Sequence, residues 1–260
     1  MKEKKLILFD LDGTLIDWRQ AIIQPSTNMV KILERLRAHG FLVMVASGRL
    51  LPLITMPLEK FNCDGYLLSD GAHVILDSKE LVCKPLKYKD VEAVKRLAKA
   101  NSLEYGLLFK DGAYLKRAGV IEPFLQKACF EMDKVSYHDQ DGDTFKIYLH
   151  CPKDKQAKIC AELGAFNLAF EDDYELIEIR NKECSKASGL KMILEQVKVK
   201  QENTYFFGDG FNDLEIFKMV GHPYVMANAD QSLYQYGTVC KRVEEDGVFL
   251  KVQEILEMGI

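Results

Sequence analysis

Long apolar runs are missing from this chain: 48% of its 260 residues are hydrophobic, yet no segment approaches the roughly 18 uncharged residues a membrane-spanning helix needs. The basic run Lys2 to Lys5 is followed only by Leu6 to Phe9 before Asp10 intervenes, too little for the apolar region of a signal peptide. A soluble, cytoplasmic protein with no membrane partner is the expectation. Positive charge is not in excess either. With 35 Lys and Arg against 39 Asp and Glu, and a net charge of −4, the basic surface of a nucleic-acid binder is excluded. Cysteine occurs seven times, at positions 63, 83, 129, 151, 160, 184 and 240, but with no C-x-x-C pair or zinc-ligand spacing; reduced, mostly buried thiols are expected. The five histidines form no metal-binding array. Tryptophan occurs once, as Trp18, with packing between layers as its expected role. There is no internal repeat and no low-complexity linker, and the length exceeds what one compact core usually holds, so a large domain carrying an insertion, or two domains, is expected.

What is present is an alternation. Leu6 to Phe9 is a continuous apolar run suited to a buried parallel strand, after which Met29, Ile32, Leu33 and Leu36 recur at helical spacing before Gly40. Phe41 to Ala46 forms a second such run, a helical stretch broken by Pro52 and Pro57 follows, and Tyr66 to Leu68 precedes the turn Asp70-Gly71. This β-α-β-α-β order belongs to an open parallel sheet. Near Leu81 the texture changes. Val91, Val94, Leu97 and Ala98 mark a helix, Lys110-Asp111-Gly112 reads as a hairpin turn, and Phe166 to Phe170 with Leu176 to Ile179 reads as an antiparallel pair. Phe145 to Leu149 alternates like a half-exposed strand, with Lys146 and Tyr148 on one side. The buried style returns at Thr204 to Phe207, preceded by a helix from about Lys186 to Val197 with Leu190, Ile193, Leu194 and Val197 inward. The fold class is therefore α/β: a Rossmann-like parallel-sheet core, residues 1–82 and 185–260, split by an inserted α+β domain at 83–184.

Polar clusters stand where the core strands end. Asp10 and Asp12 follow the first strand, project the same way if it continues, and are followed by Gly13, which permits a sharp turn. Alone, the pair fits an Asx-type turn as well as a catalytic site. Ser47-Gly48-Arg49 follows the second strand, and Gly208-Asp209-Gly210-Phe211-Asn212-Asp213 follows the late one. Ligands of open α/β sheets bind outside the carboxyl ends of the strands, which brings Asp10, Asp12, Asp209 and Asp213 towards one crevice. Such a group repels itself unless a cation joins it, and an all-oxygen ligand set favours magnesium over zinc. Lys186, opening the helix that leads to the late strand, is the candidate counter-charge. If Asp12 is protonated, the remaining acids balance a divalent ion plus one lysine, leaving the site near neutral for a phosphate dianion. Arg49 is either a substrate contact or a surface cation.

In order and context, Asp10-Leu-Asp-Gly-Thr14, Ser47-Gly-Arg49, Lys186 and Gly208-Asp-Gly-Phe-Asn-Asp213 resemble the four motifs of the haloacid dehalogenase superfamily. The insertion resembles the α/β (C2-type) cap of its Cof-type phosphatases. This resemblance implies that Asp10 is a nucleophile forming an aspartyl-phosphate and that Asp12 is the general acid and base. It implies that Ser47, Gly48, Lys186 and Asn212 bind phosphate, and that the Asp10 carboxylate, the Asp12 carbonyl and Asp209 ligate magnesium, with Asp213 as a further ligand or an anchor. The implied partner is a small phosphorylated metabolite, sugar phosphates first, with cap loops near Lys110 to Tyr114 and Phe170 to Tyr174 as candidates for specificity. Some positions depart from the family pattern. Ala187-Ser188 separates Lys186 from Gly189, Asp70-Gly71-Ala72 stands where Asn-Gly-Ala is frequent, and Met226-Ala227-Asn228-Ala229 stands where Met-Gly-Asn-Ala is usual. A phosphomutase, a receiver-like phosphoacceptor switch and a silent phosphate-binding protein are the rival readings.

Overall fold

The computed structural model describes residues 4–55, 57–138 and 142–258; the basic run at Lys2 to Lys5 lies partly outside them. Along the chain come β1 (Lys5–Phe9), α1 (Thr27–Ala38), β2 (Phe41–Ala46), β3 (Gly65–Leu68), β4 (His73–Leu76) and β5 (Lys79–Cys83). Next are α2 (Tyr88–Ala100), β6 (Glu104–Phe109), β7 (Ala113–Leu115), α3 (Ile121–Lys127), β8 (Val135–Ser136), β9 (Thr144–His150), α4 (Lys153–Glu162), β10 (Asn167–Glu171) and β11 (Leu176–Arg180). The last are α5 (Lys186–Val197), β12 (Thr204–Gly208), α6 (Leu214–Phe217), β13 (His222–Met226), β14 (Thr238–Cys240) and α7 (Gly247–Glu257).

The chain divides into two compact units, one of residues 1–48, 56–83 and 185–260, the other of residues 49–55 and 84–184. In the first, eight strands run in the order β14-β13-β12-β1-β2-β3-β4-β5. All pairs from β14 to β3 are parallel, and β4 and β5 extend the sheet as antiparallel hairpins. Every residue from Leu6 to Phe9 is fully buried, as expected of a parallel strand covered on both faces. Leu6 and Leu8 share a core with Met44, Leu67, Leu190, Ile193 and Phe206. Helix α1 buries Met29, Ile32, Leu33 and Leu36, the positions its periodicity marks, and Ser26 caps it by accepting from the Met29 N–H. Helix α5 has the predicted bounds, opened by a reciprocal Ser185–Ser188 capping box.

The second helix predicted for the core is reduced to one 3₁₀ turn, Leu51–Leu53. Pro52 stands in its first turn, where a missing N–H is tolerated. Arg49 leads this segment into the second unit: its Nη1 donates to Leu53 O at 2.9 Å and Ala128 O at 2.6 Å. At 7% exposure, Arg49 is a buried structural donor and not the surface cation that one reading allowed.

The second unit is a six-stranded sheet, β10-β11-β9-β6-β7-β8, antiparallel except at β7–β8. Val91, Val94 and Ala98 of α2 and Ile159 of α4 pack with Tyr105, Leu107, Ile147, Leu149, Ile177 and Ile179. Its central strand β9 is buried on both sides, correcting the half-exposed expectation. Lys146 and Tyr148 are accommodated because Glu178 answers both, with Lys146 Nζ at 2.8 Å and the Tyr148 hydroxyl donating at 3.0 Å. Burial lifts the Tyr148 phenol well above its ordinary range, and the Glu178 charge adds to the shift. Such buried polar groups are tolerated when paired.

All seven cysteines are reduced thiols, but only Cys151, Cys184 and Cys240 are buried, fewer than expected. Trp18 is half-buried and stacks under the Arg19 guanidinium, 4.5 Å from its ring, instead of filling a layer. Among the described residues no helix is long and apolar enough to cross a membrane.

Candidate active site

Three loops at the carboxyl ends of β1, β2 and β12 meet within the first unit. The β1 ladder continues one step into the first of them, where the Asp10 N–H donates to Phe207 O at 2.8 Å. This register fixes the Asp10 carboxylate beside the residues that follow β12. Gly13 then turns the chain at φ 76°, and a Cβ there would lie 2.0 Å from Asp209 Oδ2. The position demands glycine on two counts, backbone sign and space.

Lys186 is the hinge of the charge arrangement. Only 1% exposed, it donates from Nζ to Asp10 Oδ1 and to Asp213 Oδ1, both at 2.6 Å. Its position on the first turn of α5, set by the Ser185 cap, points a residue normally at the surface into the acid cluster. Burial works against its charge, but Asp10, Asp213 and Asp70 outweigh that and raise its pKa, so it remains a cation. Asp213 is fully buried, and its Oδ2 accepts from the Asp209 and Gly210 N–H groups at 3.0 Å each. With Lys186 on its other oxygen, Asp213 ties the loop after β12 to the start of α5.

Asp209 is gripped from both sides. Thr14 Oγ1 donates to its Oδ1 at 3.3 Å, and Asn228 Nδ2 donates to its Oδ2 at 3.4 Å while also reaching Gly13 O at 2.8 Å. Burial pushes the Asp209 pKa up to about 7, with Asp213 adding and Lys186 opposing. Burial likewise raises Asp10, against the pull of Lys186 and with help from Asp213 and Asp209.

Oxygens of Asp10, Asp209 and Asp213 all lie within 4.8 Å of one another. The donor set is all oxygen, and the raised pKa values of Asp10 and Asp209 mark negative charge crowded into a buried space. Asn228 Oδ1 is a buried acceptor with no protein donor, a group that the waters around a hydrated cation would satisfy. The residues present therefore fit a hard divalent ion.

Asp12 shares the Asp10 loop and is half-buried, outside the three-acid group. Ser47, 1% exposed, follows β2, its N–H donating to Leu67 O at 2.8 Å. Asn212 is exposed, and its Nδ2 donates to Asp70 Oδ1 at 3.0 Å. Sequence reasoning assigned no role to Thr14, Asp70 or Asn228. Thr14 sits within a quoted motif, whereas Asp70 and Asn228 showed only as departures from a pattern.

Comparison with known proteins finds relatives along nearly the whole chain. YkrA of Bacillus subtilis is 28% identical over 97% of this chain and 98% of its own. The HMP-PP phosphatase of Serratia proteamaculans is 25% identical over 86% of this chain and 84% of its own. The solved structure of the subclass IIB sugar phosphatase BT4131 superposes with a TM-score of 0.81 at 17% identity, covering 97% of this chain and 99% of that one. The haloacid dehalogenase-like hydrolase family matches residues 7–251. With that match running over nearly the whole chain, the protein belongs to the haloacid dehalogenase-like hydrolases.

Proposed function

We propose that the protein is a magnesium-dependent phosphomonoesterase of small phosphorylated metabolites, acting in the cytoplasm through Asp10. The observation that carries this reading is the buried Lys186 bridge between Asp10 and Asp213. It binds one Asp10 oxygen and leaves Oδ2 as the nucleophile, with a fixed cation beside the incoming phosphoryl group. A lysine so enclosed is costly as mere scaffolding.

Asp10, Asp209 and the Asp12 carbonyl would hold magnesium, with Asp213 anchoring the loop. When bound, the ion neutralises charge between the nucleophile and the phosphate. Asp10 Oδ2 attacks phosphorus and the bond to the ester oxygen breaks. Asp12 gives its proton to the departing alkoxide. Asp12 then takes a proton from the water that attacks the aspartyl-phosphate; the bond from Asp10 Oδ2 to phosphorus breaks, phosphate leaves, and the cycle ends with Asp10 as the carboxylate and Asp12 protonated again. Ser47 and the backbone at Gly48 cradle the non-bridging oxygens, with Lys186 and Asn212 offsetting their charge.

The named relatives support phosphate ester chemistry and differ in substrate, one an HMP-PP phosphatase and one a sugar phosphatase. Sugar phosphates are the first class to screen. The test is Asp10→Asn, which should abolish hydrolysis of an aryl phosphate and leave the fold intact. Full activity in that variant refutes the aspartyl-phosphate, and wild-type activity that survives a chelator refutes the magnesium requirement.

A further inference from the structure

The turn after β3 is conformationally expensive. Ser69, Asp70 and Gly71 take φ values of 48°, 49° and 88° in succession, and left-handed backbone at consecutive non-glycine residues is retained only where the surroundings enforce it. They do so here from several sides. A Cβ on Gly71 would lie 2.3 Å from Ser185 O, so the turn packs against the cap of α5. The Asp70 N–H donates to Ser47 O at 3.3 Å, and a Cβ on Gly48 would meet Asp70 Oδ2 at 3.3 Å. The carboxylate accepts from Asn212 Nδ2 at 3.0 Å, and Asp70 is 4% exposed. One buried acid therefore adjoins the loop of Ser47 and Gly48, the start of the Lys186 helix and the Asn212 amide.

Its charge matters as much as its contacts. Asp70 is among the anions that hold Lys186 protonated. Asp70 joins Asp10, Asp209 and Asp213 as a fourth acid acting on Lys186, so its charge adds one negative unit to the near-neutral balance expected from the motifs alone. A more negative site binds a divalent cation more tightly and a phosphate dianion more weakly.

We propose that Asp70 is a positioning residue that aims Asn212 at the phosphate and, through its charge, trades phosphate affinity for cation affinity. Weaker retention of inorganic phosphate speeds product release. The inference rests on the phosphatase reading above.

Asp70→Asn separates charge from shape, because asparagine keeps an acceptor for Asn212 and tolerates left-handed backbone. Calorimetry should show magnesium binding the free protein roughly two- to tenfold more weakly, and inorganic phosphate binding the magnesium-loaded protein tighter by a similar factor, the scale of one charge at such range in a polar medium. Asn212→Ala, which leaves the charge in place, should weaken phosphate binding and raise KM with magnesium affinity unchanged. If Asp70 merely braces the turn, Asp70→Asn leaves both affinities unchanged or weakens both, and either result overturns the proposal. So does an Asn212→Ala variant that loses magnesium as strongly as phosphate. A wild-type protein without magnesium-dependent hydrolysis defeats the phosphatase reading itself. A magnesium-dependent wild type with unshifted Asp70→Asn affinities defeats only the role of Asp70.

Discussion

Replacing Lys186 with methionine removes a cation while nearly preserving volume, and the structure sets the expected cost. Two charged hydrogen bonds of 2.6 Å vanish, and Asp10 and Asp213, both buried, lose their common partner. Orphaning a buried charge costs about 3 to 5 kcal/mol, enough to move a urea midpoint by roughly 1 M. Measured with chelator present, the loss should depend on pH with a definite sign. An acid whose folded pKa is raised contributes stability that is fully present below the unfolded value of 3.8 and is lost as pH rises through the folded value. Lys186 opposes that rise for Asp10, so removing it lifts the folded pKa further. The gap between wild type and Lys186→Met should therefore be widest near pH 8 and shrink towards about pH 4, where protonation relieves the repulsion. Activity on an aryl phosphate should fall by about a thousandfold or more, as for loss of a preorganised charge contact. A gap under about 1 kcal/mol, or one unaffected by pH, would refute the claim that the acids depend on this lysine.

Gly13→Ala should unfold more readily and lose magnesium affinity measured by calorimetry, since the methyl would collide with Asp209 Oδ2 in a backbone state alanine resists; unchanged magnesium binding would contradict the packing argument. In the second unit, Lys146→Met should destabilise by about 1 to 3 kcal/mol in chemical denaturation, because Glu178 loses its 2.8 Å ammonium partner and keeps the Arg180 guanidinium at 3.4 Å and the Tyr148 hydroxyl. Restoring stability with the double variant Lys146→Met, Glu178→Leu would show that the cost lies in the weakened pairing of the Glu178 charge. A double variant no better than the single one would place it in lost packing.

Much of the core was legible because it obeys simple periods. The apolar run of β1 and the inward positions Met29, Ile32, Leu33 and Leu36 of α1 reappear as buried residues, and α5 has its predicted ends. The β4–β5 hairpin was not legible. Its turn uses Asp77 and Ser78 at φ 48° and 61°, without the glycine that signals such geometry. Lys146 and Tyr148 misled for a related reason: alternation reports polarity, and a polar face reads as solvent until a partner such as Glu178 is known. Within the site, Asp10, Asp209 and Asp213 were visible as acids at strand ends, and Lys186 as a cation opening the helix that leads to the late strand. Asp70 and Asn228 were hidden because their importance lies in what they touch, Asn212 in one case and Asp209 with Gly13 in the other.

The pairing of β1 with β12 joins Leu6 to Thr204 and Phe9 to Phe207, and its consequence falls on the order of synthesis. As the chain leaves the ribosome, β1 can pair with β2 soon after it is made, but its other edge waits for β12, whose partner residues begin at Thr204. The stretch from 84 to 184 is continuous within its own unit and can condense while that edge is still bare. A nascent chain of this design carries an apolar, unpaired strand edge until β12 is made, the circumstance in which holdase chaperones matter most. Truncations ending before residue 204 should therefore be insoluble, even though they contain Asp10 and the entire insertion.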